Sequence, residues 1–144
     1  MATYQEHYDQ AKHNEEIADL LLNPKCCSHA WVTIITFYAA LQFVEAAFTR
    51  TIVKHLEEYH TNLKKGKSEV PGKHTLMQQL IEADPRLRRF ANEYRDLRIG
   101  SEASRYLKTG YSQYFNDDFV RRCFEVNLQK IKCELNREKL IDVV

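Results

Sequence analysis

The chain has 144 residues, of which 44% are hydrophobic and 28% are charged, and its formal net charge is +1. A chain of this length is one domain that can bury roughly 70% of the surface that its unfolded form exposes. A net charge so close to zero provides no overall field that attracts nucleic acid or an anionic membrane, so any anion site must be a local patch. Four glycines and three prolines favour long helices over a many-turned β fold.

The four cysteines do not have the spacing of a metal site or a disulfide framework. Cys26 and Cys27 are adjacent, and Cys123 and Cys133 are ten residues apart, which is not the spacing of zinc ligands. The first sixteen residues are polar and charged and lack the apolar core of a signal peptide. We therefore expect a cytoplasmic protein in a reducing compartment, with buried thiols, no metal and no cofactor.

The first predicted helix begins at a capping box, in which Thr3 is the N-cap and Glu6 follows three residues later. Apolar residues recur behind it in helical register. The helix is expected to run to about Leu22, because Asn23-Pro24 ends it.

The stretch from Cys26 to Val44 runs nineteen residues without Asp, Glu, Lys or Arg. Its apolar side chains surround most of a helix, which is typical of a helix buried among others or in lipid. Polar residues such as His29 lie within it, Glu45 follows at once, and no Lys/Arg cluster flanks it, so the buried helix is favoured. We predict the central helix of a bundle, with Ser28 as N-cap, continuation to about Tyr59 and no membrane span.

The middle of the chain is predicted to be a long loop followed by two helices. The loop covers about residues 60–72, and a short helix begins at Lys73. Asp84 is expected to cap the next helix, with Pro85 at its first position, where a missing N–H costs nothing. Gly100 is expected to end that helix.

The segment 101–114 is ambiguous between helix and turn. Asn116 or Asp117 caps a last helix, whose apolar residues recur at steps of four, four, three and four: Val120, Phe124, Leu128, Ile131 and Leu135. Together these elements predict an all-α fold, an antiparallel (up-and-down) four-helix bundle with an extra short helix and one long loop, in a single domain over residues 1–144.

Several short motifs match a known pattern, which covers roughly residues 10 to 110. They are His29-Ala30-Trp31-Val32-Thr33, Phe37-Tyr38-Ala39-Ala40-Leu41-Gln42, Val44-Glu45-Ala46, Gly72-Lys73-His74, Tyr94-Arg95-Asp96-Leu97, and Ser101-x-x-Ser104-Arg105-Tyr106. The pattern resembles the HEPN superfamily (higher eukaryote and prokaryote nucleotide-binding), within it the uncharacterised bacterial and archaeal branch with a tryptophan and an F-Y-A-A-L core.

The resemblance implies a four-helix bundle that dimerises and that binds RNA or a nucleotide. Many members of the superfamily are metal-independent endoribonucleases, often of toxin–antitoxin or defence systems, with an Arg and a His from each subunit meeting at the dimer cleft. Others are inactive or serve as partners of minimal nucleotidyltransferases. This chain departs from the branch at two positions: Gln42 stands where a His is usual, and Met77 stands where an Arg would follow His74 by three residues.

Metal-free RNA cleavage needs a base for the ribose 2′-OH and a cation for the pentavalent phosphorane. His74 is one candidate base, and Arg105, which matches the family pattern, is its candidate cation. Their alternatives are an exposed loop histidine and an arginine that bridges a carboxylate. Arg50 and His55 are a second candidate pair, but a spacing of five residues does not place both on one helical face. The plainer interpretation of that pair is a solvated helix end.

A basic stretch with interleaved aromatic residues precedes Gly100. Arg86, Arg88 and Arg89 begin it, and Arg95 and Arg98 follow on later turns. Such a face can hold single-stranded RNA through phosphate contacts and stacking. Acidic residues are interspersed, so a solvated face with ordinary Asp/Glu–Arg pairs is the alternative. The candidates for RNA or nucleotide binding are Lys73, Tyr106, Arg95 and Arg98.

Two hypotheses of function follow. The first is an RNA- or nucleotide-binding domain that acts as a metal-independent endoribonuclease, with His74 or His55 as base and Arg105 or Arg50 as cation. The second is a catalytically inert module that binds a nucleotide or a protein, such as a nucleotidyltransferase or an antitoxin. A homodimer is expected in either case.

Overall fold

The protein is all α-helical in the residues that the computed structural model describes, which are 1–22, 29–65, 67, 69–106 and 116–142. The predicted fold class is confirmed. In chain order the elements are α1 (Tyr4–Leu21), α2 (His29–Phe48), α3 (Leu56–Lys64), α4 (Lys73–Ala83), a 3-10 turn (Arg88–Phe90), α5 (Ala91–Tyr106), α6 (Asp117–Arg122), a π-helical segment (Cys123–Leu128) and α7 (Gln129–Arg137). The last three are continuous, and residues 117–137 are called the C-terminal helix below.

The four long helices form an up-and-down bundle. Residues near the start of α5 meet the later part of the C-terminal helix, as in the pair of Glu93 and Lys130. The end of α5 meets the start of the C-terminal helix, where Phe119 packs on Gly100. These two helices are therefore antiparallel. Helix α1 is antiparallel to α2, because His7 near the start of α1 contacts Gln42 near the end of α2. It is also antiparallel to the C-terminal helix, because Arg121 at the start of that helix donates to Leu22 just after α1, while Asp142 beyond its end donates to Tyr4.

Helix α2 lies at the centre, against α1, α5 and the C-terminal helix. By length and composition it could span a membrane, and it is the one helix of the described part that could. Most of its apolar stretch is buried inside the bundle, as in the core helix of a soluble protein. Its buried residues are Val32, Thr33, Thr36, Phe37, Ala39, Ala40, Leu41, Phe43, Val44, Ala46, Ala47 and Phe48.

Helix α2 ends at Phe48 and does not continue to Tyr59, so the predicted end was wrong. The Thr49 hydroxyl donates to the carbonyl oxygen of Ala46 (2.6 Å), and the Thr51 hydroxyl donates to that of Phe48 (2.9 Å). These side chains therefore provide hydrogen bonds to carbonyl groups at the end of α2. Lys54 then has a φ of +57°, a left-handed conformation that turns the backbone before α3 begins. The predicted N-cap Ser28 lies outside the described residues.

The predicted loop 60–72 is shorter than expected, because α3 extends to Lys64. His60 is buried, and its Nε2 lies 2.8 Å from the carbonyl oxygen of Pro71. This hydrogen bond ties the end of the loop back to α3.

Two predicted boundaries of the next helix were also wrong. Asp84 does not cap an α-helix: its carboxylate accepts from the backbone N–H of Arg86 at 2.8 Å and binds the same residue's guanidinium, which makes a turn. The α-helix begins at Ala91. Gly100 does not end it, because the helix runs on to Tyr106 and the glycine lies buried at a helix contact. Residues 107–115 of the ambiguous segment lie outside the described part.

Other predictions are confirmed. The capping box of Thr3 and Glu6 is present with both hydrogen bonds, and Asn116 caps the C-terminal helix by accepting from the Phe119 N–H at 2.8 Å.

Burial raises the pKa of the Cys123 thiol to about 12. Cys133 is exposed, which differs from the expectation of buried thiols, and Cys26 and Cys27 lie outside the described residues.

Substitution of Gly100 by alanine should destabilise the fold. An added Cβ would lie 3.0 Å and 3.1 Å from ring atoms of Phe119 and 3.1 Å from Cγ2 of Thr33. Overpacking of this kind costs about 1–3 kcal/mol, which outweighs the gain of up to about 1 kcal/mol from alanine's helix propensity. We expect the free energy of unfolding, measured by urea denaturation, to fall by about 1 kcal/mol, the difference between these two effects.

Gly72→Ala is the matched control. Its added Cβ meets no atom within 4 Å, and the backbone φ of −61° suits alanine. We expect a change within about 0.5 kcal/mol. Equal stability of the Gly100→Ala variant and the wild type would contradict the tight packing of α5 on α2 and the C-terminal helix.

Candidate functional site

The structure brings His74, Arg98 and Arg105 together at the junction of α4, α5 and α2. His74 lies in the first turn of α4, and the two arginines lie on α5. Their i and i+7 spacing, with Glu102 at i+4 between them, places all three α5 side chains on one face. We call His74, Arg98, Glu102, Arg105 and the adjacent Tyr38 the basic cluster.

His74 is half-buried, and its ring centroid lies 5.8 Å from that of Phe37. Burial lowers the pKa of its imidazole, and the positive charges of Arg105, Arg98 and Lys73 lower it further, against the opposing effect of Glu102. The imidazole is therefore neutral at pH 7 and able to accept a proton.

The two arginines of the basic cluster are held by neighbouring side chains. Nη1 of Arg105 donates to the hydroxyl oxygen of Tyr38 at 3.1 Å, and the guanidinium lies 5.9 Å from the centre of that ring. Nη1 of Arg98 donates to Glu102 at 3.2 Å. Two arginines against one carboxylate leave the cluster with a net positive charge, suited to an anion.

Tyr38 and Glu102 are site residues to which the sequence patterns give no role. Tyr38 is half-buried, and its hydroxyl accepts a hydrogen bond from Arg105. The spacing of Glu102 between Arg98 and Arg105 on one helical face is the sequence signal that could have identified it.

The other residues predicted to bind RNA or nucleotide lie around the basic cluster. Lys73 is adjacent to His74, but its Nζ pairs with Glu57 of α3 at 2.7 Å. Arg95 is exposed on α5, one turn before Arg98, and has no partner among the described residues. Tyr106 is the last residue of α5, and its side chain lies outside the described part.

Arg50 and His55, the second predicted catalytic pair, have different neighbours. The guanidinium of Arg50 binds the carboxylate of Asp142 at 2.6 Å and 3.2 Å and lies 3.9 Å from the centre of the Tyr4 ring. His55 precedes α3 and lines a cavity with Glu45. The described residues show no contact between Arg50 and His55.

A second cluster of ionisable residues lies at that cavity. Nδ1 of His7 lies 2.7 Å from Oε1 of Gln42 and 3.3 Å from a carboxylate oxygen of Glu45. The cavity, of about 290 Å³, is also lined by His55 and Glu57. Burial raises the pKa of Glu45, while His7 and Lys73 oppose that shift. In the described part of the chain, no group of three or more His, Cys, Asp or Glu residues could hold a metal ion.

The two positions that depart from the family pattern have structural roles here. Met77 is fully buried, and its sulfur accepts a hydrogen bond from the Tyr94 hydroxyl at 2.7 Å. An arginine there would be placed in the core. Gln42 holds the ring of His7, so a histidine from α1 lies beside the position where the pattern has one.

The arginine run is separate from the basic cluster. Arg86 pairs with Asp84 at 3.0 Å, and Arg88 and Arg89 are exposed in the 3-10 turn. About 25 Å of helix axis separates that turn from Arg105, at about 1.5 Å per residue. One RNA phosphate therefore cannot contact both.

Comparison of the chain with protein-family models, curated proteins and solved structures finds no match.

Replacement of Glu45 by glutamine should stabilise the fold at neutral pH. Burial raises the pKa of this carboxyl above its usual 4.5, so the folded state binds the proton more tightly than the unfolded state. The protonated Glu45 carboxyl therefore contributes its full stability below about pH 4.5, and this contribution is lost as the pH rises through the pKa of Glu45 in the folded state. Glu45→Gln should therefore have a higher unfolding temperature than the wild type at pH 7.5, and the difference should vanish near pH 4.

Glu16→Gln, at an exposed carboxyl of α1, should show no such pH-dependent difference. If Glu45→Gln proves less stable than the wild type at pH 7.5, the ionic contact with His7 outweighs the burial of the charge.

Proposed function

We propose that this protein is a HEPN-like domain that binds RNA through a phosphate held at the basic cluster and cleaves it without a metal. The observation that supports this is a chain of contacts: the half-buried ring of His74 packs on Phe37, Phe37 packs on Tyr38, and the Tyr38 hydroxyl accepts a hydrogen bond from Arg105. The charges of Arg105 and Arg98 accordingly lower the pKa of the His74 imidazole, after burial. These residues come from separate helices, so their convergence is a property of the fold. Lys73 and Arg95 lie at the margin of the cluster, where a bound strand can extend.

Each residue has a role in the proposed reaction. Neutral His74 accepts the proton of a ribose 2′-OH, and the resulting 2′-oxygen attacks the adjacent phosphorus. Arg105 stabilises the negative charge of the phosphorane, with Arg98 as the second cation. The bond to the 5′-oxygen breaks, that oxygen takes a proton from water, and the resulting hydroxide takes the proton from His74. A 2′,3′-cyclic phosphate and a neutral His74 remain. The homodimer implied by the resemblance stays a prediction, which light scattering tests.

The catalytically inert module is the second candidate. The pairing of Arg98 with Glu102, together with Gln42 and Met77 at the departing positions, favours it. Such a module would bind a nucleotide, or a protein such as a nucleotidyltransferase, without cleaving RNA.

Cleavage of total transfer RNA in EDTA separates the two candidates. We expect the wild type to cleave, and His74→Ala to be at least about 100-fold slower, as removal of a general base requires. Arg105→Ala should be slower by a factor of about 10² to 10³. Cleavage is measured by gel electrophoresis at several enzyme concentrations.

His13→Ala and Arg89→Ala are the matched controls, because both residues are exposed and lie outside the cluster. His55→Ala and Arg50→Ala test the other predicted pair and should retain activity. Intact RNA at high concentrations of folded wild-type protein would reject the nuclease and leave the inert module. Equal activity in all variants would reveal a contaminating nuclease.

The pH dependence of cleavage should report the environment of His74. Because its pKa is lowered from 6.5, the folded protein resists protonation of the base, and cleavage should fall to half its plateau only below pH 6.5.

Glu102→Gln removes the charge that raises the pKa of His74 and should move the half-point of cleavage to lower pH. Arg98→Gln removes a charge that lowers it and should move the half-point to higher pH. NMR titration of the imidazole measures the same shifts without activity, and shifts of opposite sign would contradict the cluster geometry.

A further inference from the structure

A groove of about 520 Å³ runs along the outer face of α2, next to the basic cluster. Trp31, Tyr38 and two isoleucines of α2 form its apolar surface, and the amides of Gln10, Asn14 and Gln42 form its polar side. Among the described residues, no charged side chain lines it.

Trp31 is the most unusual residue of the groove, because 64% of its surface is exposed. It is also the single tryptophan of the chain. With Ile34, Ile35 and Tyr38 it forms a contiguous apolar surface, and such surfaces mark sites of interaction.

Tyr38 connects the groove to the basic cluster. It lines the groove, while its hydroxyl accepts the hydrogen bond of Arg105 at 3.1 Å. Trp31 and Tyr38 are two helical turns apart on the same face of α2, about 10 Å along the axis. A strand with a phosphate at Arg105 can therefore place its adjacent bases on these two rings.

The amides of the groove match the edges of nucleobases. Nε2 of Gln10 donates to Oδ1 of Asn14 at 2.9 Å, and Oε1 of Gln42 contacts His7. Oε1 of Gln10, Nδ2 of Asn14 and Nε2 of Gln42 have no partner in the described part of the chain, so both donors and acceptors are available. Unpaired bases are recognised by this combination of aromatic stacking and hydrogen bonds to their edges.

The distribution of charge around the groove also matches the two parts of a nucleotide, its base and its phosphate. The groove is uncharged and suits a neutral base, whereas the adjoining cluster is positive and suits a phosphate. A single strand of RNA satisfies the apolar, polar and charged parts together.

We propose that this groove binds the unpaired bases of single-stranded RNA, with Trp31 and Tyr38 as stacking platforms beside the phosphate at Arg105. The inference rests on the proposed RNA-binding function and names its substrate class, since paired bases cannot stack on these rings.

Trp31 itself reports the binding. The wild type is titrated with a 2′-O-methyl RNA oligonucleotide, which this reaction cannot cleave, and the tryptophan emission is followed. The single strand should quench or shift the emission, and the same sequence as a duplex should not. Affinity is measured in parallel by the anisotropy of a labelled oligonucleotide.

Substitutions separate stacking from a general loss of fold. Trp31→Ala should bind the single strand about 5- to 150-fold more weakly, the range expected for loss of one stacked base. Trp31→Phe keeps an aromatic ring and should retain most of the affinity. Leu20→Ala, at a similarly exposed apolar residue of α1 (73% exposed), should bind as the wild type does. Circular dichroism confirms that each variant folds.

The outcomes distinguish the two proposals. RNA binding or cleavage with unchanged tryptophan emission and unchanged affinity of Trp31→Ala would overturn the groove and leave the proposed function standing. No binding of any RNA by the wild type would overturn both. Emission that changes with protein concentration, with a dimer that Trp31→Ala abolishes, would assign the groove to a second copy of the chain and also overturn the inference.

Discussion

Burial of α2 is the constraint on which the rest of the structure depends. A helix with apolar side chains on most of its circumference is unfavourable in water, so other helices must surround it. Alanines on α2 allow that close approach: Ala39, Ala40, Ala46 and Ala47 are all fully buried. Gly100 likewise allows α5 to approach α2 closely, because a side chain there would meet Thr33 of α2.

The core packing also positions the candidate site. The ring of Phe37 contacts those of Tyr94 at 5.7 Å, His74 at 5.8 Å and Tyr38 at 5.5 Å. One buried side chain of α2 thereby sets the positions of the first turn of α4 and the first turn of α5. Because interiors are closely packed, His74 cannot move far from the face that carries Arg105. The proposed chemistry uses a geometry that the fold already maintains for stability.

The electrostatics of the domain follow from the same arrangement. Positive and negative charges are nearly equal in number, and several are paired across or along helices, as Lys132 is with Glu15. A chain with a net charge of +1 therefore has little overall field. The basic cluster differs, because it contains two arginines and one carboxylate, which pairs with Arg98, while Arg105 donates to the Tyr38 hydroxyl. Burial and these arginines lower the pKa of the neighbouring His74. The uncharged groove beside it extends the site to a surface that suits bases, which a basic patch alone would not do.

By itself, the sequence determined the helical fold class, the capping box at Thr3, a cap at Asn116 or Asp117, and most of the buried positions of the C-terminal helix, because caps and apolar periodicity act within a few residues. It also identified His74 and Arg105 as residue types suited to phosphate chemistry. Tertiary structure decided the rest. Gly100 has the lowest helix propensity of any residue but proline, yet it continues α5, because only a residue without a side chain fits against Phe119 and Thr33. His74 comes close to Arg105, and Trp31 to the amides of α1, because of how separate helices pack. Local patterns in a sequence do not give the distances between helices that are far apart in the chain.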